Sequence, residues 1–125
     1  MSFQYSVSDV GSKIIISFRG KLIEKDESDT LLIEISDLIN QGTSFFAIDL
    51  KNLEYFNSTG LNILLKMLTK ARNAGGEVVL FNCSARLNEL ILLTKLDSVF
   101  TMASDKNDAL GKLDQKINSK KSNES

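Results

Sequence analysis

The chain has 125 residues, 42% of them hydrophobic, enough for one domain around one buried core. Its 15 Lys and Arg balance 16 Asp and Glu to a formal net charge of −1, so no global field gathers nucleic acid, an anionic membrane or a highly charged substrate. The absence of histidine removes Ser-His-Asp and Cys-His catalytic sites and any imidazole metal site, and the single cysteine, Cys83, excludes an internal disulfide.

One cysteine suits a reducing compartment. The start, Met1-Ser-Phe-Gln-Tyr-Ser, has no basic region leading into an apolar run, and no apolar stretch approaches the roughly 20 residues that span a bilayer. A cytoplasmic protein is expected, without membrane insertion.

A weak strand is expected around Phe3 to Val7, then a buried one from Lys13 to Phe18, where Ile14, Ile15, Ile16 and Phe18 form a β-branched run between Gly11 and Gly20. From Asp26 to Asn40 the period becomes helical, with Leu31, Ile35, Leu38 and Ile39 on one face and Gly42 as the stop. Ser44 to Leu50 reads as a second buried strand followed by a polar turn. A long helix then carries Leu61, Leu64, Leu65, Leu68 and Ala71 on one face, with Lys66, Lys70 and Arg72 late in it, and Gly75 and Gly76 end it with positive-φ positions. Glu77 to Phe81 is a third buried strand, Leu87, Leu90, Ile91 and Leu93 or Thr94 mark another helix, and Val99 to Met102 a last short strand. Asp105 caps a closing helix with Ala109, Leu110, Leu113 and Ile117, after which residues 118–125 read as a polar, frayed tail. Strands separated by helices need crossovers, so the expected fold is α/β: a mixed, mainly parallel sheet of four to five strands covered by about four helices, in a single domain over 1–117.

The stretch from Ile48 to Leu61 carries the functional signal, because a buried strand hands over to a helix through Asn57-Ser58-Thr59-Gly60. Asn57, Ser58 or Thr59 can accept hydrogen bonds from the amides of the first helical turn, Asn and Ser being the better caps, and Gly60 leaves room for another backbone to approach. On spacing alone this is a helix start. A phosphate added there would meet free amides and the positive end of the helix dipole, and its charge of roughly −1.5 to −2 would transform the surface seen by a partner.

Asp49-Leu50, the spacer to Phe56 and Asn57-Ser58-Thr59-Gly60-Leu61 resemble the signature of the STAS domain as found in bacterial anti-sigma factor antagonists. Gly20-Lys-Leu22, Gly75-Gly76-Glu77 and the run from Leu92 to Phe100 through Asp97 extend the likeness over nearly the whole chain. In that family the first hydroxyl residue of the turn accepts phosphate, which points to Ser58, with Thr59 as second choice, and to Asn57, Gly60 and Leu61 as the rest of a partner-binding turn. The resemblance implies an anti-sigma factor serine kinase that phosphorylates the antagonist and is thereby released, and a metal-dependent serine phosphatase that restores binding. The chain itself would then be substrate and ligand rather than enzyme, with no cofactor of its own. Two positions depart from the family pattern: its usual Asp before the acceptor is Asn57, and the Asp often found after Gly-x-Leu is Ile23, with Glu24 one place beyond. Glu24 and Asp49 are candidates for the partner surface.

Two other readings are weighed against this one. The same domain serves as a docking subunit of lipid or anion transporters, where Ser58 would only pack or cap. A small enzyme or nucleotide-binding protein using Asp49, Ser58 or Thr59 is disfavoured, since Gly75-Gly76 lacks the Lys-Ser/Thr of a phosphate loop and no histidine is present. Asp49 itself reads better as a hydrogen-bonded turn anchor, and Cys83 as a buried structural thiol. Lys112, Lys116, Lys120 and Lys121 read as a solvated helix face and tail. Leu92, Leu93, Leu96 and Phe100 are core candidates, and any left exposed beside Ser58 would form a docking patch.

Overall fold

The computed structural model describes residues 3–22 and 25–124. Five strands alternate with four α-helices: β1 (Gln4–Val10), β2 (Lys13–Leu22), α1 (Lys25–Asn40), β3 (Phe45–Phe56), α2 (Ser58–Asn73), β4 (Glu77–Phe81), α3 (Ala85–Leu93), β5 (Thr101–Ala103) and α4 (Lys106–Glu124), with a 3₁₀ turn at Leu96–Ser98. The sheet order follows the chain, β1-β2-β3-β4-β5. β1 and β2 form an antiparallel hairpin in which Val10 faces Lys13 across Gly11, which sits at φ +66°. The other three pairings are parallel. The expected mixed, mainly parallel sheet with helical cover is therefore the fold observed.

Three crossovers step in one direction across the sheet, and connections of one hand leave their helices on one face. On that face Ile14, Ile16, Phe18, Phe46, Ile48, Leu50, Val78 and Leu80 pack against Leu31 and Ile35 of α1, Leu64, Met67 and Leu68 of α2, and Leu87 and Ile91 of α3. The alternate strand residues Ile15, Ala47, Val79 and Phe81 meet Ala109 and Leu113 of α4 on the other face. Apolar residues on both faces explain why the inner strands read as continuous runs. Helix α2 lies over the middle of the sheet, and there Ile63 and Met67 are buried beside the expected stripe.

Four boundaries differ from the sequence reading, each for a pairing or packing reason. β2 runs on through Gly20, which takes φ +88° where the register with β3 shifts, so the strand kinks and continues to Leu22. β3 continues with it: Lys51 to Phe56, expected as a polar turn, are strand because the extended β2 pairs them, up to Leu22 with Phe56. β5 occupies Thr101–Ala103, because Val99, the expected start, closes the preceding 3₁₀ turn in the helical region and bonds back to the Leu96 carbonyl. Helix α4, capped as expected by Asp105 Oδ1 accepting from the Asp108 amide at 2.9 Å, runs past Ile117 to Glu124. No proline or glycine interrupts that last stretch, and each added residue closes another helical bond.

Gly75 has the expected positive φ of +83°, whereas Gly76 is required for another reason: a Cβ there would collide with the Ser44 carbonyl oxygen. Next to it, Glu77 is buried with its carboxylate held by Arg72 at 3.0 Å and Lys116 at 3.8 Å, tying α2, β4 and α4 together. Lys112 donates to the Met102 carbonyl at 2.6 Å. Lys112 is thus a structural donor and Lys116 an ion-pair partner, rather than a purely solvated face; the side chains of Lys120 and Lys121 lie outside those described.

Candidate functional site

The junction between β3 and α2 lies where the extended β2–β3 ribbon ends. Asn57 sits in the extended region, at φ −128° and ψ −165°, and caps α2: its Oδ1 accepts from the Gly60 amide at 3.1 Å and its carbonyl from the Leu61 amide at 3.0 Å. The amides of Ser58 and Thr59 have no intrahelical acceptor, as in any first turn. Of the three cap candidates, Asn57 takes the role, and Ser58 stands exposed at the first helical position. Thr59 is half-buried.

Gly60 and Leu61 are buried and hold the turn from beneath. A Cβ at Gly60 would lie 2.5 Å from the Leu22 carbonyl oxygen and 3.0 Å from Phe56 Cβ, so only glycine lets α2 start against the end of β2. Of the candidate partner-surface positions, Ile23 and Glu24 lie outside the described residues. Substituting Asn57 by alanine should cost about 1 kcal/mol of stability, while Asn57→Asp should keep the cap and add a favourable charge at the helix N-terminus. Urea unfolding of the two variants checks the order.

Ser58 lines two depressions. One, about 350 Å³, lies between β3 and α3 and includes Leu53, Tyr55, Phe56, Arg86, Glu89 and Leu93. The other follows α2 along Thr59, Asn62, Ile63 and Lys66. Leu93 is 73% exposed and Leu92 61%, so part of the expected core of α3 is surface, whereas Phe100 is buried and Leu96 partly so. The exposed Leu93 forms the apolar patch beside Ser58 that periodicity alone leaves open between core and surface.

Asp49 lines neither depression. Its Oδ1 accepts from the Lys51 amide at 3.0 Å and from Asn82 Nδ2 at 3.1 Å, which anchors the point where β3 leaves β4 and stabilises Asn82 at φ 57°. The lining residues Leu53, Tyr55 and Phe56 escape the sequence reading because Lys51 to Phe56 has the polarity of a turn; the two-residue spacing of Leu53 and Tyr55 is the one strand signal it offers.

Cys83 is half-buried among core residues, and burial pushes its thiol up to about 11 from 9.0. A thiol raised this far is protonated and unreactive at neutral pH. Its alkylation rate in the folded chain should keep rising with pH towards 11, instead of levelling near 9 as in the urea-unfolded chain; iodoacetamide kinetics from pH 7 to 11 measure this. Among the described residues no His, Cys, Asp and Glu are grouped to hold a metal ion, and no helix is long and apolar enough to cross a membrane.

Comparison with known proteins connects this geometry to a family. The STAS domain family pattern matches residues 6–109. Over 101 residues, 81% of this chain and 86% of the other, the sequence is 22% identical to BtrV of Bordetella bronchiseptica, whose name describes an anti-sigma factor antagonist. An anti-sigma factor antagonist from Mycobacterium paratuberculosis superposes with a TM-score of 0.71 at 26% identity, covering 90% of this chain and 94% of that one. The phosphorylated form of the Bacillus cell fate determinant SpoIIAA superposes with a TM-score of 0.69 at 18% identity, covering 87% and 98% respectively.

Proposed function

Because the chain belongs to the STAS domain family, we propose that it is an anti-sigma factor antagonist that binds an anti-sigma factor serine kinase and is switched off by phosphorylation at Ser58. The observation that carries this reading is the division of labour in the turn: Asn57 caps α2, and Ser58 is exposed one residue further on. A phosphoryl group on the Ser58 hydroxyl can therefore be accommodated with the cap intact. There it lies beside the Ser58 and Thr59 amides and the positive end of a 16-residue helix, which hold a dianion without unfolding the chain. The names of the relatives, two anti-sigma factor antagonists and a phosphorylated cell fate determinant, support the same assignment.

In this scheme the kinase brings nucleotide, Mg²⁺ and its own catalytic groups, and this chain brings the acceptor hydroxyl. A metal-dependent serine phosphatase resets the switch. Asn57, where the family usually has Asp, keeps the cap but removes a charge from the kinase-facing turn, so the cognate kinase is one that does not depend on a carboxylate there.

The decisive experiment incubates wild type and Ser58→Ala with the protein captured by wild type, Mg²⁺ and ATP, and reads phosphate by mass spectrometry. One phosphate on wild type at Ser58 and none on Ser58→Ala is expected. No transfer to wild type from a captured ATPase, or capture of transporter subunits in its place, overturns the assignment.

A further inference from the structure

Among the described residues, one edge of β3 is open beyond its last partner on β4. β4 pairs with β3 only from Phe45 to Asp49, yet β3 continues to Phe56 with β2 alone on its other side. The depression at Ser58 is lined by Leu53, Glu54, Tyr55 and Phe56 in succession. Side chains alternate between the two faces of a strand, so a depression bordered by four consecutive residues lies at the strand's edge and, with Asn57 and Ser58 also lining it, reaches past its end. Its far wall is α3, where Leu90 and Leu93 stand one helical turn apart.

We propose that this edge receives an extended segment of the partner as an added strand, an inference that rests on the partner-switching reading above. An unpaired strand edge is a template for main-chain hydrogen bonding, and the overhang is long enough for a short strand at about 3.3 Å per residue. The Lys51 amide is already bonded to Asp49, so the added strand runs beside the residues after it. Leu90 and Leu93 face the slot and select apolar side chains at alternate positions of the incoming segment. Glu54 and Glu89 outnumber Arg86 around it and select a Lys or Arg among the others. Ser58 lines the same slot, so a phosphoryl group there takes up room in it and has to be desolvated against Leu53, Phe56 and Leu93, which opposes the segment's entry. The switch and the docking groove are thus one surface.

Hydrogen exchange of the full chain, alone and with the kinase purified through its Ser58-dependent binding, tests this. Amides of 52–56 that exchange fast in the free chain should slow at least about tenfold in the complex. Leu93→Asp, at a position 73% exposed, should weaken binding at least about tenfold with unchanged melting temperature, whereas Ile33→Asp, at a 63% exposed position on α1, should bind as wild type. Protection confined to the α2 side at Thr59, Asn62 and Lys66 overturns the strand-addition inference and leaves the switch standing. A partner segment that cross-links to the slot as a helix overturns it too, as does a second copy of this chain filling the slot, read as a dimer by sedimentation. If no kinase binds in a Ser58-dependent way, the functional assignment itself falls, and the inference with it.

Discussion

Gly76→Ala is expected to destabilise the chain by about 3 kcal/mol or more and to remove cooperative folding if the starting stability is ordinary. The added methyl would overlap the Ser44 carbonyl oxygen, its carbonyl carbon and Cβ, all at the start of β3. The Ser44 carbonyl also accepts from the Glu77 amide at 3.0 Å, so backing away from the methyl breaks the bond that registers β4 against β3. Gly60→Ala meets a backbone oxygen too, at 2.5 Å, but at the first turn of α2, where a small shift of the helix start gives relief; about 1 to 3 kcal/mol is expected. Gly111→Ala in α4 meets nothing within 4 Å and should stabilise by up to about 1 kcal/mol through helix propensity. Urea denaturation of the three variants measures the series, and a neutral Gly76→Ala would show that the β3–β4 start yields more than close packing allows.

Ser58→Asp should lower affinity for the kinase at least about 100-fold, or about 2.8 kcal/mol, while leaving the fold intact. Position 58 is exposed and does not cap, so the substitution takes nothing from α2, and a carboxylate in its first turn is favourable to the helix dipole. On the proposed reading the cost falls on the interface, where the added carboxylate has to be desolvated next to the apolar wall of Leu53, Phe56 and Leu93. A switch requires this difference between states, since a modification that binds equally well in both shifts nothing. Calorimetric titration of the purified kinase with wild type, Ser58→Ala and Ser58→Asp separates the cases. Equal affinities for all three would show that Ser58 lies outside the interface, and a parallel fall in melting temperature would show that it supports the fold instead.

The order of strands and helices was legible because their periods differ. Continuous runs such as Phe45 to Leu50 and Glu77 to Phe81 signalled strands buried on both faces, and the spacing of Leu31, Ile35 and Leu38 signalled a helix buried on one. The hydroxyl turn after β3 was legible as well, since Asn57-Ser58-Thr59-Gly60 is a local capping pattern that needs no distant residue to be recognised.

The sequence did not reveal which of the three polar residues caps, or that Lys51 to Phe56 is strand. Both depend on residues far along the chain: β2, kinked at Gly20, carries Leu22 alongside Phe56, and that pairing keeps β3 extended up to Asn57, leaving Asn57 as the cap. The groove beside Ser58 was equally hidden, because its walls come from β3 and α3, about thirty residues apart, and Leu93 has the same helical spacing whether it faces core or solvent. The amino-acid sequence by itself determined the element order, the α/β class and the position of the candidate switch, all of which rest on local periodicity and local hydrogen bonding. Only the tertiary structure decided that Ser58 is the exposed residue of the turn and stands at the end of an open strand edge, because exposure and unsatisfied edges are set by what packs against a residue and not by its neighbours in the chain.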